Sequence, residues 1–457
     1  MLRWAGAKSS QCLLRRRRSG KGVGQGRLRL WFGPRSRTAE SIVLLSTSDR
    51  NSGPVIVALG VTQIIGYGAL YYAYAVLAPY IAADFRVSES ALFGALSAGL
   101  LLGGITAPSF GRWIDRYGAA AVMAAGSAAV SGLLALLALA PGFWSFAALI
   151  VLIEIVSFTV LYDAAFAVLA RYAPRNPRTA ITKLTLIAGF ASTLFWPLTG
   201  WLAEALGWRA SYAIFAALNI AVAFPLHLWI FRRKAPGQDI DSETGSLRNA
   251  SFRISGAAAR RAFWLVGIGF ALSGMAISAM GVHMVPILLA RGQGDAAYAV
   301  AMAMGPAQVL IRVVDATLWR RLHPVGVALI SAAVLPLAMV CLLLPGSGLV
   351  LGLAFAVLMG TGGGLSSIVR GSVPVSLFGT GGLGERLGQL AAMRNVLGAS
   401  APFLFAWSTA AIGIDRTLGL TIGIATAGFA VIGWLWLDLH RETRPPTPAA
   451  AAAPPTN

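Results

Sequence analysis

The sequence predicts an all-α membrane protein, and three observations carry that reading. Hydrophobic residues make up 57% of the 457-residue chain and charged residues only 12%, against about 25% charged in an average soluble domain. The apolar residues gather in runs of roughly 20 or more that do not alternate, which suits a bilayer-spanning helix and not a barrel strand. Twelve such runs occur, divided six and six by a polar stretch at 232–260. A bilayer admits only helices or closed barrels, because every backbone group must be satisfied internally. The expected architecture is therefore twelve transmembrane helices in two six-helix, pseudo-symmetric halves.

Residues 1–53 come first. They are basic, rich in Gly and Ser, and carry the run Arg15–Arg18. They lack the compact apolar core of a cleavable signal, so they read as a disordered extension, with a basic arm on anionic lipid as the sharper alternative. The amino-terminal half, 54–231, holds apolar segments near 54–83, 90–112, 118–140, 142–170, 179–205 and 209–231. The central loop, 232–260, is polar. The carboxyl-terminal half, 261–438, holds segments near 261–291, 296–319, 322–344, 347–377, 384–412 and 415–438. A Pro/Ala tail at 439–457 has the composition of a disordered segment.

Charge fixes the expected topology. With the amino terminus inside, seventeen Lys/Arg fall in the inside loops and tail and four (Arg86, Arg209, Arg291, Arg416) in the outside loops. That asymmetry obeys the positive-inside rule, so both termini are expected in the cytoplasm and the chain in the plasma (inner) membrane. The net charge of +20 is half accounted for by residues 1–50, and the rest lies mostly in short loops. This is a topology signal, and no nucleic-acid partner is expected. Two cysteines, Cys12 and Cys341, and four scattered histidines give no disulfide framework and no metal site. No cofactor is expected, and the chain lacks a phosphate-binding Gly-x-x-x-x-Gly-Lys-Ser/Thr loop, so ATP is not the expected driving force. No nucleophile or metal constellation points to an enzyme. A transport-dead scaffold or sensor is expected to lose intramembrane charge, and this chain keeps it.

The halves echo each other at an offset of 207 residues: Gly60 matches Gly267, Pro79 matches Pro286, and Asp163 in helix 4 falls on Arg370 in helix 10. Internal repeats of this kind place a binding site at the interface between halves.

Between helices 2 and 3 stands Gly111-Arg-Trp-Ile-Asp115-Arg116-Tyr-Gly118. The two glycines allow a tight turn and close helix approach, Asp115 can accept hydrogen bonds at a helix start, and Arg116 can reach a carboxylate or last-turn carbonyls. The string resembles the G-x-x-x-D-R-x-G loop signature of the major facilitator superfamily. That resemblance implies the major facilitator fold, with this loop bracing the halves on the cytoplasmic side. The corresponding stretch of the second half, Leu318 to His323, keeps basic charge and loses the aspartate. The phrases Gln63 to Tyr72 and Leu184 to Pro197 resemble the arsenite-efflux branch of the same superfamily. The resemblance implies efflux of arsenite or related arsenicals and arsenite resistance. Trivalent arsenic is thiophilic, however, and only Cys341 lies in an apolar segment.

Ionisable residues inside the membrane are costly and invite functional hypotheses. Seven occur: Glu154, Asp163, Lys183, Arg312, Asp315, Arg370 and Arg394. Gln63, Tyr67, Tyr71 and Tyr74 step by i+4, i+4 and i+3 along helix 1 and predict one cavity-lining stripe. Glu154 and Asp163, nine residues apart, point about 180° apart on a continuous helix and are not one carboxylate pair. Glu154 suits either proton coupling or a buried acid hydrogen-bonded to a neighbouring helix; Asp163 and Arg370 are expected to help form a cytoplasmic gate, a direct pair being one arrangement of it. Arg394, beside Asn395 and about 15 Å into helix 11, is the expected contact for an anionic or polar solute. Arg312 and Asp315, at i and i+3, are expected to neutralise one another. Lys183 is expected to snorkel, and His283 either to titrate at the cavity or to be hydrogen-bonded within the helix bundle. The expectation for function is a monomeric secondary active transporter in the lipid bilayer. It moves a small-molecule solute by alternating access with proton coupling; exchange of a small organic anion is the alternative to arsenical efflux.

Overall fold

The computed structural model describes residues 38–174, 176–233, 256–294, 296–319, 321–344 and 348–442, with side chains from Ser52 to Arg441. Two units are distinguished. Of Met1–Leu45, the described part begins at Thr38 and is helical; Ser46–Asn457 contains the membrane bundle. Helical structure thus starts inside the segment read from sequence as an extension. Residues 52–53 open the first membrane helix, and residues 1–37 lie outside the described residues. So do most of the central loop and the tail after 442.

Among the described residues eleven helices are long and apolar enough to cross a membrane, and the fifth, Pro177–Arg232, is two helices merged across Gly207. Gly207 has φ 79° and ψ 169°, a conformation an L-residue resists, so the chain turns there and the spans number twelve. In order they are α1 (Ser52–Phe85), α2 (Glu89–Tyr117), α3 (Ala119–Ala138), α4 (Phe143–Tyr172), α5 (177–206), α6 (208–232), α7 (Gly256–Ala290), α8 (Ala296–Thr317), α9 (Pro324–Leu343), α10 (Leu349–Phe378), α11 (Leu383–Ile412) and α12 (Ile414–Arg441). Among the described residues there is no strand.

The boundaries follow local chemistry. Ser88 caps α2, its Oγ accepting from Ala91 N at 3.2 Å, and Arg116 sits in the last turn, where a cation suits the helix dipole. Gly118, at φ 88°, ends α2 and starts α3. Pro177 and Pro324 stand at the first turns of α5 and α9, where no amide proton is needed.

Several helices depart from regularity, α1 and α4 at mid-bundle among them. The α1 helix contains a π turn at Gly68–Tyr72. The α4 helix breaks after Ser157 and resumes at Tyr162, with Leu161 extended at φ −89° and ψ −166°. Gln63 of α1 repairs part of that break, its Nε2 donating to Val160 O at 2.8 Å. Interrupted helices at this depth are tolerated where protein buries them, and they recur at transporter binding sites.

Each half has its own apolar core. Tyr74, Leu77, Phe146, Trp208 and Phe215 pack together in the first half, and Met280, Leu335, Met339, Phe355 and Met359 in the second. Among the described residues, hydrogen bonds and ion pairs between halves all lie toward the end of the bundle that carries the Gly111–Gly118 loop. At the opposite end each half bonds to itself, through Asp84–Arg209 in the first and Arg291–Asp415 in the second.

Candidate functional site

The closed end is built on α2 and α11. Gly111 and Gly384 face one another so closely that a Cβ on Gly111 would lie 2.9 Å from Glu385 Cα as well as against the Gly384 carbonyl. One turn further in, a Cβ on Gly388 would meet Pro108 Cα at 2.9 Å. Small residues let backbones approach this way in membranes. The contact brings Asp115 over the start of α11, where its carboxylate oxygens accept from Gly384 N (2.9 Å) and Glu385 N (2.8 Å). A carboxylate at two orphan amides of a helix N-terminus is doubly favoured, by charge-assisted bonds and by the dipole. Arg112 adds an exposed ion pair to Glu385 at 3.7 Å, while Arg116 lies over the Tyr117 ring at 5.3 Å. The loop motif is thus a clasp between halves.

A second clasp joins α5 to α8. Arg178 Nη2 bonds Asp315 Oδ1 at 2.8 Å and Trp319 O at 2.9 Å, and Thr182 Oγ1 donates to Asp315 Oδ2 at 2.9 Å. This corrects the expected Arg312–Asp315 pair. Asp315 is spent on two partners from the other half, and Arg312, 6% exposed, turns toward Gly189 of α5 instead. Neither Arg178 nor Thr182 stood out in the sequence. Arg178 read as one more inside-loop cation, although its place in the first turn of α5 puts it opposite an acid of α8.

Deeper in the bundle, Asp163 meets Arg394 of α11, with Nη2–Oδ2 at 3.3 Å. Of the arrangements open to the Asp163–Arg370 gate, the direct pair is not formed. The break in α4 places Asp163 in the first turn of a new helix, aimed at α11, whereas the repeat offset relates positions by symmetry and not by contact. Arg370 stays close enough for its charge to act on Arg394, Tyr67, Tyr71 and Tyr162. Its Nε is buried without a hydrogen-bond partner, as is that of Arg312. Among the described residues neither Arg312 nor Arg370 has an ion pair. Arg370 thus stands beside the Asp163–Arg394 pair, and Arg312 stands one turn from Asp315, whose two oxygens are both given to the other half. An aromatic wall stands beside them: Tyr162 stacks on Phe166 at 5.2 Å, and Tyr67 leans on Tyr162 at 4.6 Å.

The helix-1 stripe divides. Tyr67 is half-buried and Tyr71 is 57% exposed, but Gln63 is sealed against α4 and Tyr74 is buried, its hydroxyl donating to Leu92 O at 2.6 Å. The π turn between them adds a residue to the turn, so α-helical spacing no longer keeps Tyr74 on the face of Tyr67. Glu154 is buried, with its side chain against Gly99 of α2, and among the described residues it has no ion pair. It acts electrostatically on Tyr71, Tyr74 and Tyr212 and does not join Asp163. His283 is half-buried; its Nε2 meets Pro402 O at 2.9 Å and its ring stacks on Phe405. Ser278 Oγ donates to Gly398 O, the carbonyl that Pro402 leaves without an amide, at 2.8 Å. Both residues thus tie a proline kink of α11 to α7. Asn395 lies at the α2–α11 contact, its Cβ 3.0 Å from where a Gly104 Cβ would stand. Lys183 is exposed. Among the described residues no group of three or more His, Cys, Asp or Glu side chains could hold a metal ion. An apolar groove of about 370 Å³ between α7 and α11, lined by residues such as Ile268, Leu272 and Met393, offers a polar solute nothing.

No curated protein sequence matches the chain. Solved structures do match, at identities that speak for the fold alone. The human organic anion transporter MFSD10 (TETRAN) is 19% identical, with a TM-score of 0.64, covering 84% of this chain and 99% of its own. The transporter FucP in the outward conformation is 14% identical, with a TM-score of 0.63, covering 85% and 99%. The proton:xylose symporter XylE bound to 6-bromo-6-deoxy-D-glucose is 12% identical, with a TM-score of 0.60, covering 84% and 95%. Residues 59–405 match the family model of the Major Facilitator Superfamily. Twelve spans in two halves, clasped at the Gly111–Gly118 loop around an interface rich in charge, are accounted for together: the chain belongs to the Major Facilitator Superfamily and is a multi-pass membrane transporter, not an enzyme.

Proposed function

We propose that this protein is a secondary active transporter of a small organic anion, working by alternating access, with both termini in the cytoplasm. On that topology the clasped end is cytoplasmic and the structure is the outward-facing state. The observation that carries the substrate class is the pair of guanidinium groups, Arg312 and Arg370, that stand at the half interface without a carboxylate. Desolvated cations of this kind are maintained where a ligand supplies the missing charge. The likeness to an organic anion transporter does not carry the reading, since it extends to the fold alone.

Arsenical efflux rests on the sequence resemblance. Cys341 is the cysteine among the described residues; it lies on α9, with its Sγ against Leu337 O of its own helix at 3.5 Å. A thiophilic solute therefore finds no thiol beside the arginines. Coupling is assigned to Glu154, a buried carboxyl without a cation partner that faces α2 and the exposed Tyr71 side of α1.

The test is counterflow into proteoliposomes with a labelled panel of carboxylates, arsenite and xylose, with and without an imposed pH gradient. Saturable counterflow of at least one carboxylate is expected. It should fall at least about tenfold in Arg370→Gln, the loss of a hydrogen bond to a charged group. Counterflow of arsenite or xylose with none of the carboxylates would overturn the proposal.

A further inference from the structure

We infer that the solute is a dicarboxylate whose two charged ends are held separately by Arg312 of α8 and Arg370 of α10; this rests on the organic-anion reading above. Arg312 is 6% exposed and its Nε has no partner. Its nearest acid in sequence, Asp315, is occupied on both oxygens by Arg178 and Thr182. As long as the α5–α8 clasp is closed, no protein carboxylate is free to neutralise Arg312. Arg370 is in the same position, because Asp163, its mate in the internal repeat, is taken by Arg394.

The two cations occupy one region but not one point: Gly364 of α10 packs on Ile311 of α8, next to Arg312, and Arg370 lies six residues, about 9 Å by helical rise, further along α10. Both charges act on Tyr162. Beyond it their surroundings differ: Arg312 acts on Tyr72 and touches Gly189, whereas Arg370 acts on Tyr67, Tyr71 and Arg394. A monoanion would pair one guanidinium and leave the other desolvated and alone, which a low-dielectric site penalises heavily. A phosphate monoester places both charges on one group and meets the same limit. An anion with a charge at each end satisfies both. It also bridges α8 and α10 beside the α4 and α5 elements of the other half, Tyr162 and Gly189. Both arginines belong to the carboxyl-terminal half, so it is the contact with Tyr162 and Gly189 of the other half that lets the solute favour one arrangement of the halves over another.

The test uses the purified full-length protein and isothermal titration with succinate, glutarate and adipate, each beside its monomethyl ester, which keeps the chain and removes one charge. Glycerol phosphate is included. At least one diacid is expected to bind about 10- to 100-fold more tightly than its ester, the range for a hydrogen-bonded charge, with glycerol phosphate no better than the ester. Arg312→Gln is expected to weaken diacid binding far more than ester binding and so abolish that advantage, with its thermal melt and gel-filtration profile showing that the variant is folded. Should the glutamine variant fail to fold, Arg312→Lys, which keeps the charge but loses the fork, is expected to shrink the advantage at least threefold. Esters that bind as tightly as their diacids, or an Arg312 variant that weakens both equally, would overturn the two-point site while leaving an organic-anion transporter. Absence of binding by diacids and esters alike would overturn both readings.

Discussion

Gly111→Ala tests the α2–α11 clasp at its narrowest point. The added methyl would lie 2.8 Å from Gly384 C and 2.9 Å from Glu385 Cα, and closer still to the Gly384 carbonyl oxygen. These are backbone atoms in the first turn of a helix, and no side-chain rotation relieves them. The helices must part by roughly an ångström to restore ordinary carbon–carbon contact of about 3.5–4.0 Å. That displacement stretches the bonds from Gly384 N and Glu385 N to Asp115, now 2.9 and 2.8 Å, beyond hydrogen-bond range. Hydrogen bonds to a charged group contribute about 1.5–3 kcal/mol each, so about 3–6 kcal/mol is at stake. Water reaches the freed carboxylate at this half-exposed site, which puts the net near the lower end. About 3 kcal/mol shifts the balance between conformations by roughly 100-fold toward the state open at this end. Spin labels at Glu89 and Arg416, exposed positions on different halves at the opposite end, would report it once Cys12 and Cys341 are replaced. Double electron–electron resonance should show the interlabel distance shortening in Gly111→Ala, and likewise in Asp115→Asn, which keeps the shape but loses the charge. A distance distribution identical to the unsubstituted protein in both variants would refute the assignment of this contact as the clasp.

Asp163→Asn should lower the melting temperature and transport together, since breaking a buried ion pair costs about 3–5 kcal/mol; exchanging Asp163 with Arg394 should recover part of both, and exchanging Asp163 with Arg370 should recover neither. His323 lies outside the spans, between α8 and α9, where burial first, then the charges of Arg178 and His440, hold its imidazole down to about 4. The unfolded chain takes up that proton near pH 6.5 and the folded chain does not. Stability is therefore expected to fall as pH drops from 7 to 5, and thermal melts of His323→Gln over that range should be flatter. Asp315→Asn leaves Arg178 and Thr182 with a neutral partner, and Glu89–Arg416 distances should shorten as they do for Gly111→Ala; an unchanged distribution would confine the α5–α8 contact to a structural role.

How much of this was legible in the sequence depends on whether a feature is decided within one helix or between two. Span number, span ends and the clasp loop are decided locally: hydropathy runs fix the helices, Gly118 and Gly207 mark turns by their backbone freedom, and the Gly111–Gly118 string is contiguous. Glu154 and Asp163 stand on two helices and not on opposite faces of one: the chain breaks at Leu161 without proline or glycine to announce it, held by a glutamine 97 residues away. Ion-pair partners were not legible at all. The periodicity that places Arg312 one turn before Asp315 is real, but Asp315 gains more from Arg178 and Thr182, whose positions depend on the halves being closed at that end. The same holds for Asp163, which the repeat relates to Arg370 and the closed interface delivers to Arg394. These pairings belong to a conformation as much as to a sequence. When the clasped end opens, Asp315 must leave Arg178, and the i, i+3 partner read from sequence, Arg312, is then the cation within its reach.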